Sequence, residues 1–392
     1  MTGGPRTDPT ETPLWARDAW EIADDVRAGR LSATAVVAAH LDRIAQLDPP
    51  LRSFVEVDAE AAMLRAAEVD VAVAGGGDPG PLAGVPLGVK DLEDAAGLPT
   101  RRGSLLLRQV PPADQDSIQV ARLRAAGAVV VGKTATPEFG SLAFTWSPAF
   151  GTTRSPWQHN RTPGGSSGGS GAALAAGLVP LATGSDGAGS IRIPASFCGL
   201  VGLKTSTGLV PRLPRRGVAV PLSIAGPMGR SVRDVARALD QVAGLHRADP
   251  LAVPRPVPSY EQALGTEGLG GLRVAWSPRL GCCDCDPEVE AIARAGAERL
   301  LAATGMVEVD AIAQAGAVPD GSSAWATLFS VDALAELHEL WPARAGEMTP
   351  VVAAMLTIGE SATSADLAAA GRLRHDVVQA ANRLFEQVDL LV

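Results

Sequence analysis

Pro163-Gly164-Gly165-Ser166-Ser167-Gly168-Gly169-Ser170 is followed, across an alanine-rich segment, by Gly184-Ser185-Asp186-Gly187-Ala188-Gly189-Ser190-Ile191-Arg192, which sets Ser190 24 residues after Ser166. Upstream, Gly84-Val85-Pro86-Leu87-Gly88-Val89-Lys90-Asp91 ends an apolar, strand-like run in one lysine. Glycine lets a backbone approach a substrate closely and reach dihedrals closed to other residues. A serine held there can attack a carbonyl while nearby N–H groups hold the developing oxyanion. A lysine kept neutral by burial can act as the base. Either glycine run alone reads as a tight turn, and Lys90 alone as a surface residue. The three together point to one site.

Working outward, the pattern alternates helices and strands. Helices are expected over Leu14 to Arg30 and from Ser32, a cap, to Pro49, with apolar positions Val36, Val37, Leu41, Ile44 and Leu47. Further helices are expected over Asp58 to Val73, Ser117 to Ala126, Ser170 to Leu178, and from Ser231, in a capping box with Asp234, to about Val242. Asp286 and Pro287 open another that ends near Gly305, and Ala365 to Gln387 forms a long one. Strands are expected at Val85 to Val89, Ala128 to Val131, Val179 to Thr183, Leu272 to Trp276 and Val307 to Val309. This order predicts an α/β fold with a sheet covered on both faces by helices.

The 392 residues are 46% hydrophobic and 20% charged, enough for a large core. Length alone permits two or three domains, but α/β enzymes of this size can form one unit. The expected organisation is a loose tail over 1–13 and one domain over 14–392. Val388-Asp389-Leu390-Leu391-Val392 reads as a core strand just beginning, so the chain is expected to be cut short there. A net charge of −9 argues against nucleic acid as a partner. Gly168 to Ser185 lacks charge, but it is too rich in Gly, Ser and Ala to span a membrane. With no signal peptide visible, a cytoplasmic protein is expected.

Four cysteines make no disulfide scaffold, and Cys198 reads as a buried small hydrophobe. Cys282-Cys283-Asp284-Cys285 lacks zinc spacing and a fourth ligand, so it is read as a surface loop between a strand and a helix, with no metal.

Two rival motifs are weaker. Gly127-Ala128-Val129-Val130-Val131-Gly132-Lys133-Thr134 has the spacing of a phosphate-binding loop, but its three valines favour a strand where such a loop turns its N–H groups inward. Gly164-Gly165-Ser166-Ser167-Gly168 has the spacing of a nucleophile elbow, with His246, His338 and His375 available downstream. The preceding Gln158 to Pro163 is no strand, which an elbow requires.

These residues resemble the amidase signature family. The likeness starts at Leu31-Ser32-Ala33-Thr34 and passes through Leu47-Asp48-Pro49, the Lys90 segment, Val131-Gly132-Lys133-Thr134 and Glu138-Phe139-Gly140. It includes both serine runs and ends with Gly226-Pro227-Met228 and Ser231-Val232-Arg233-Asp234. The resemblance implies a twisted mixed β-sheet between layers of α-helices. It implies that Ser190 is the acyl-forming nucleophile, Ser166 the bridging serine after a cis peptide bond permitted by Gly165, and Lys90 the base. It further implies an oxyanion hole from the N–H groups of Gly187, Ala188, Gly189 and Ser190, with Asp186 and Arg192 as paired structural charges. Ser167 is expected to hydrogen-bond Lys90.

Departures from the family pattern are Ala188 for glycine, Lys204-Thr205-Ser206 for Lys-Pro-Thr, and Leu209 for arginine. A methyl at residue 188 would cost about 1–2 kcal/mol if that position needs positive φ. The expected function is hydrolysis of carboxylic acid amides through a Ser-Ser-Lys relay and an acyl-enzyme. The substrate would be a small-molecule amide, with no cofactor and no membrane, and a homodimer is a permitted assembly. One alternative is the glutaminase component, the A chain, of an aminoacyl-tRNA amidotransferase. That subfamily carries glutamine where Ile193 stands, which favours the free-standing amidase. Another is a truncated, catalytically inactive relative.

Overall fold

The computed structural model of the chain describes residues 12–212, 222–265, 268–311 and 316–392. The tail expected over 1–13 lies outside the described residues as far as residue 11. The described residues group into two compact units, one holding 12–212, 222–262 and 342–353, the other 263–265, 268–311, 316–341 and 354–392.

In the first unit, the N-terminal helix is α1 (Ala19–Arg27), preceded by a separate short turn at Leu14–Ala16. Its start is set by Asp18, whose N–H donates to the Glu21 carboxylate at 3.1 Å. Next, α2 (Ala33–Leu51) is capped by Ser32 Oγ, which accepts the Ala35 N–H at 3.0 Å. It runs past its expected end at Pro49. The Asp48 carboxylate accepts the Ser53 and Phe54 N–H groups at 2.8 and 3.2 Å and holds the turn that the two prolines cannot.

β1 (Phe54–Val57), α3 (Ala59–Ala74), β2 (Pro86–Lys90), α4 (Ile118–Ala125) and β3 (Val129–Thr134) follow. A small hairpin of β4 (Trp146–Ser147) and β5 (Gly151–Thr152) leads to α5 (Gly168–Ala175). Then come β6 (Leu181–Asp186), α6 (Arg192–Cys198), β7 (Val201–Gly202), β8 (Ile224–Gly229) and α7 (Val232–Val242).

Six strands form one mixed sheet in the order β1-β3-β2-β6-β8-β7, flanked by helices. Its centre is parallel, β3 and β6 lying on either side of β2. Every residue of these three strands is buried, as a parallel sheet covered on both faces requires. The outer pairings are antiparallel. Leu87, Leu181, Val131, Leu174, Ile191 and Met228 belong to the core around this sheet, each stabilising it by about 1.5–3 kcal/mol through burial.

β1, β4, β5, β7 and β8 were not among the expected strands. β8 contains two glycines and a proline, which count against a strand, yet it pairs with β6 over six positions. β1 is a four-residue edge strand. At α7, Ser231 Oγ accepts the Asp234 N–H at 3.1 Å, but Asp234 does not complete the capping box. Its buried carboxylate instead accepts the Trp20 N–H at 2.9 Å, tying α7 to α1.

The second unit has a parallel sheet of β9 (Arg273–Ala275) between β10 (Val307–Glu308) and β11 (Leu390–Leu391). The closing segment read as a strand thus supplies β11. The helices are α8 (Pro287–Thr304), α9 (Ser322–Leu337), α10 (Pro350–Ser361, residues 354 onward in this unit) and α11 (Ser364–Phe385). Asp286 caps α8 with Pro287 in its first turn. α9 went unforeseen because its apolar and polar residues are spread round the helix and show no amphipathic period.

Candidate active site

The site is built at the ends of β2 and β6 and in the two serine loops. β2 carries Lys90 to the end of the parallel core, and its main-chain N–H donates to Thr183 Oγ1 on β6 at 3.0 Å. The Lys90 side chain is 0% exposed. Its Nζ lies 2.8 Å from Ser166 Oγ, 3.0 Å from Ser185 Oγ and 3.4 Å from the Ser185 carbonyl. Ser166 is itself 2% exposed, and the Gly165–Ser166 peptide is cis. Only glycine fits at residue 165, because a Cβ there would lie 2.8 Å from the main-chain N and C of Phe144.

The second serine in this first loop acts differently from expectation. The Ser167 hydroxyl lies 3.4 Å from both the carbonyl and the N–H of Ser185, so its bonds run to main chain. The further hydroxyl at the Lys90 amine belongs to Ser185, which the sequence reading did not single out. Strand alternation carried the signal: Thr183 and Ser185 lie on one face of β6, two residues apart. The Ser167 N–H donates to the Ser190 carbonyl at 3.1 Å and so ties the two serine loops together.

In the second loop, Asp186 is the organiser. Its carboxylate accepts the N–H of Gly189 at 2.7 Å, of Ile191 at 3.2 Å and of Arg192 at 3.4 Å. The Arg192 guanidinium binds the same carboxylate in a fork, both contacts at 2.9 Å. Burial would raise the Asp186 pKa, but the Arg192 and main-chain bonds outweigh it and hold the carboxyl below its ordinary value.

This arrangement corrects one member of the expected oxyanion set: the Gly189 N–H is committed to Asp186. Among the described residues, the N–H groups of Ala188 and Ser190 have no protein acceptor. The loop's positive φ, +109°, falls on Gly189 and not on Ala188, so the methyl at 188 meets no left-handed penalty. Ser190 is half-buried, and Ala188 is exposed at the loop's outer face.

Behind this site lies a second buried lysine. The segment with phosphate-loop spacing is β3, and Lys133 Nζ on it lies 3.3 Å from Asp91 Oδ1 and 2.7 Å from Thr100 Oγ1. Burial pushes Asp91 up and Lys133 down, each toward its neutral form. Glu138 is also buried and accepts from Ser104 Oγ at 2.6 Å and from the Thr349 N–H at 2.7 Å. The histidines considered as elbow partners are engaged or exposed elsewhere: His246 accepts the Ala248 N–H, and His338 and His375 are exposed.

Cys198 is buried, which pushes its thiol up to about 12. Cys283 is exposed on the loop between β9 and α8. Among the described residues, no group of three or more His, Cys, Asp or Glu is placed to hold a metal, and no helix is long and apolar enough to cross a membrane.

The amidase family model matches residues 35–392. The chain belongs to the amidase signature family. Like other members it is a hydrolase acting on amide bonds. It is 38% identical to an acylamidase of Rhodococcus erythropolis over 392 residues, 98% of this chain and 80% of that protein. It is 41% identical over 289 residues to the A chain of the glutamyl-tRNA(Gln) amidotransferase of Roseiflexus castenholzii, a match that covers 74% of this chain and 58% of that protein. Among solved structures, a bacterial aryl acylamidase of the amidase signature enzymes superposes with a TM-score of 0.89 at 28% identity, covering 97% of this chain and 80% of that one.

Proposed function

We propose that this amidase signature enzyme hydrolyses carboxylic acid amides with Lys90 as base, Ser166 as relay and Ser190 as nucleophile. The observation that carries the reading is the 2.8 Å contact between the Lys90 amine and Ser166 Oγ, both buried. Lys90 takes the proton of Ser166, and Ser166 takes that of Ser190. Ser190 Oγ forms a bond to the amide carbon as the carbonyl π pair moves onto oxygen. The N–H groups of Gly187, Ala188 and Ser190 hold that oxygen, each such donor being worth about 10²–10³ in rate. The proton returns through Ser166 to the leaving amine, the C–N bond breaks, and water releases the acid from Ser190.

Ser185 supports the relay by holding the amine through its hydroxyl and carbonyl. Asp186 and Arg192 keep the second loop in shape, and Ser167 and Gly165 keep the first. The substrate is a small amide handled without a cofactor, in the cytoplasm, and a homodimer is a permitted assembly.

A second reading, glutaminase activity within an amidotransferase, is supported by the likeness to the amidotransferase A chains. Ile193 and the longer match to the acylamidase favour the free-standing enzyme.

A fluorophosphonate probe tests the proposal. The parent chain is expected to be labelled, and Ser190→Ala and Lys90→Ala are expected to lose labelling while keeping the parent's circular dichroism. Labelling that persists in Ser190→Ala would overturn the nucleophile. Amide hydrolysis that appears only with added partner proteins would favour the amidotransferase.

A further inference from the structure

The turn between β9 and α8 holds three of the four cysteines, and two of them touch: Cys282 Sγ lies 3.4 Å from Cys283 Sγ. In a strand, successive side chains leave on opposite faces. Here the N–H groups of Cys282 and Cys283 both donate to the Arg279 carbonyl, at 3.0 and 2.9 Å, so the chain is wound and the neighbouring side chains come together. The turn is fastened on several sides. The Leu280 N–H donates to Ser277 Oγ at 3.1 Å, and the Leu280 carbonyl accepts the Val318 N–H at 3.1 Å. The Arg279 guanidinium meets the Glu290 carboxylate of α8 at 2.9 Å. Cys283 is exposed and Cys282 half-buried, so the pair is open to solvent.

Cys285 stands apart, its thiol donating to the Asp286 carbonyl at 3.7 Å. Among the described residues no group of three metal-binding side chains forms, so the cluster offers two sulfurs and not three or four. The contact with Cys283, together with partial burial, pushes the Cys282 thiol above its ordinary value. It therefore keeps its proton at neutral pH and is a poor nucleophile by itself.

Two sulfurs so close can be bridged by one atom. Bonds of about 2.3 Å, as in zinc–thiolate sites, would meet at roughly 95° to span the gap, whereas the tetrahedral angle of zinc would need the sulfurs about 3.8 Å apart. So narrow an angle belongs to a pyramidal trivalent centre carrying a lone pair, and arsenic(III) is such a centre with a preference for soft thiolates. A disulfide fits less well: the sulfurs would have to close to about 2.05 Å between residues whose Cα atoms, about 3.8 Å apart, are nearer than disulfides ordinarily allow.

We propose that Cys282 and Cys283 form a dithiol site that captures a trivalent arsenical as a chelate. An arsenoxide, R–As=O, reacts with both thiols: two As–S bonds form, the As=O bond breaks, and its oxygen leaves as water with the two thiol protons. Arsenic stays trivalent and sulfur is not oxidised, so the step needs no further reagent. The site is independent of the amide chemistry proposed for Lys90, Ser166 and Ser190 and stands whether or not that reading does.

Phenylarsine oxide tests this on the whole, reduced chain by intact mass. The parent is expected to take up one arsenical in the presence of excess glutathione, a monothiol competitor, and to release it to the dithiol dimercaptopropanol. Cys282→Ser and Cys283→Ser are each expected to hold it about a hundredfold less tightly, because a single thiol loses the gain of linked attachment. Cys285→Ser is expected to bind like the parent. A parent that takes up none in glutathione, or a double Cys282→Ser, Cys283→Ser variant that still binds, overturns the proposal. So does loss of binding in Cys285→Ser, which would put a different pair of sulfurs at the site. Peptide mapping of the parent gives a readout without any substitution: the bound arsenical is expected to shield Cys282 and Cys283 from iodoacetamide and to leave Cys285 open. Alkylation of the pair at an unchanged rate overturns the proposal.

Discussion

At the scale of single residues, the site depends on which polar groups share the buried space around Lys90. Ser185 provides two of the three contacts described for its amine, so Ser185→Ala is expected to lower kcat about tenfold with little change in KM, as loss of one orienting hydrogen bond of about 1–1.5 kcal/mol would do. Steady-state kinetics on an amide that the parent hydrolyses would check this, and a fall confined to KM would count against it. Lys133 and Asp91 form a buried pair whose value lies in its completeness. Lys133→Met leaves the Asp91 carboxylate with main-chain donors but no counter-charge, and a loss of about 3–5 kcal/mol in urea unfolding is expected. Ala188→Gly is expected to leave stability unchanged within about 1 kcal/mol, because the left-handed position of that loop is Gly189. A clear gain in stability for Ala188→Gly would show strain at the methyl after all.

At the scale of elements, the serine loops are held where glycine lets main chains touch. Helix α5 begins at Gly168 directly after Ser166 and Ser167, and Gly169 in its first turn rests against the end of β3. A Cβ at Gly169 would lie 2.2 Å from Ala135 N and 2.6 Å from the Ser53 carbonyl, all main-chain atoms with no freedom to give way. Gly169→Ala must therefore lift α5 off the sheet and move Ser166 with it. A loss of about 1–3 kcal/mol by overpacking is expected, together with a fall in labelling. Parent-like stability with parent-like labelling would show that the contact is looser than described. The helix starts at Ser32, Ser231 and Asp286 were legible because an N-cap is a short-range device, settled by a side chain and an N–H two or three residues on. The end of α2 was not, because Asp48 holds the turn after two prolines by reaching residues beyond them.

At the scale of the whole molecule, stability should carry the mark of a buried neutral histidine. His40 on α2 lies 3.1 Å through Nδ1 from the Leu178 carbonyl, and Nε2 has no partner. Burial pushes its pKa down to about 4. The unfolded chain takes up that proton near pH 6.5 and the folded one does not until about 4, so the contribution is present above pH 6.5 and is lost as pH falls toward 4. The loss reaches about 3 kcal/mol. Asp234, raised by burial to about 6, has the opposite sign: its contribution is present at acid pH and is lost as pH rises through 6. The two slopes partly cancel in the parent, so the check is a difference. His40→Gln should lose less stability than the parent between pH 6.5 and 4 in urea titrations, and parallel curves would refute the assignment. Within the fold, the apolar runs of β2 and β3, the alternation of helices with strands, and the spacing of Ser166, Ser190 and Lys90 were determined by the sequence itself, since run length, capping and glycine content are properties of neighbouring residues. The partners were not: Lys90 meets Ser166 across 76 residues and Ser185 across 95, and strand alternation sets Ser185 on the face of Thr183 without showing that Lys90 lies there. Only the pairing of β2 with β6, and the burial it imposes, decided which hydroxyls reach the amine.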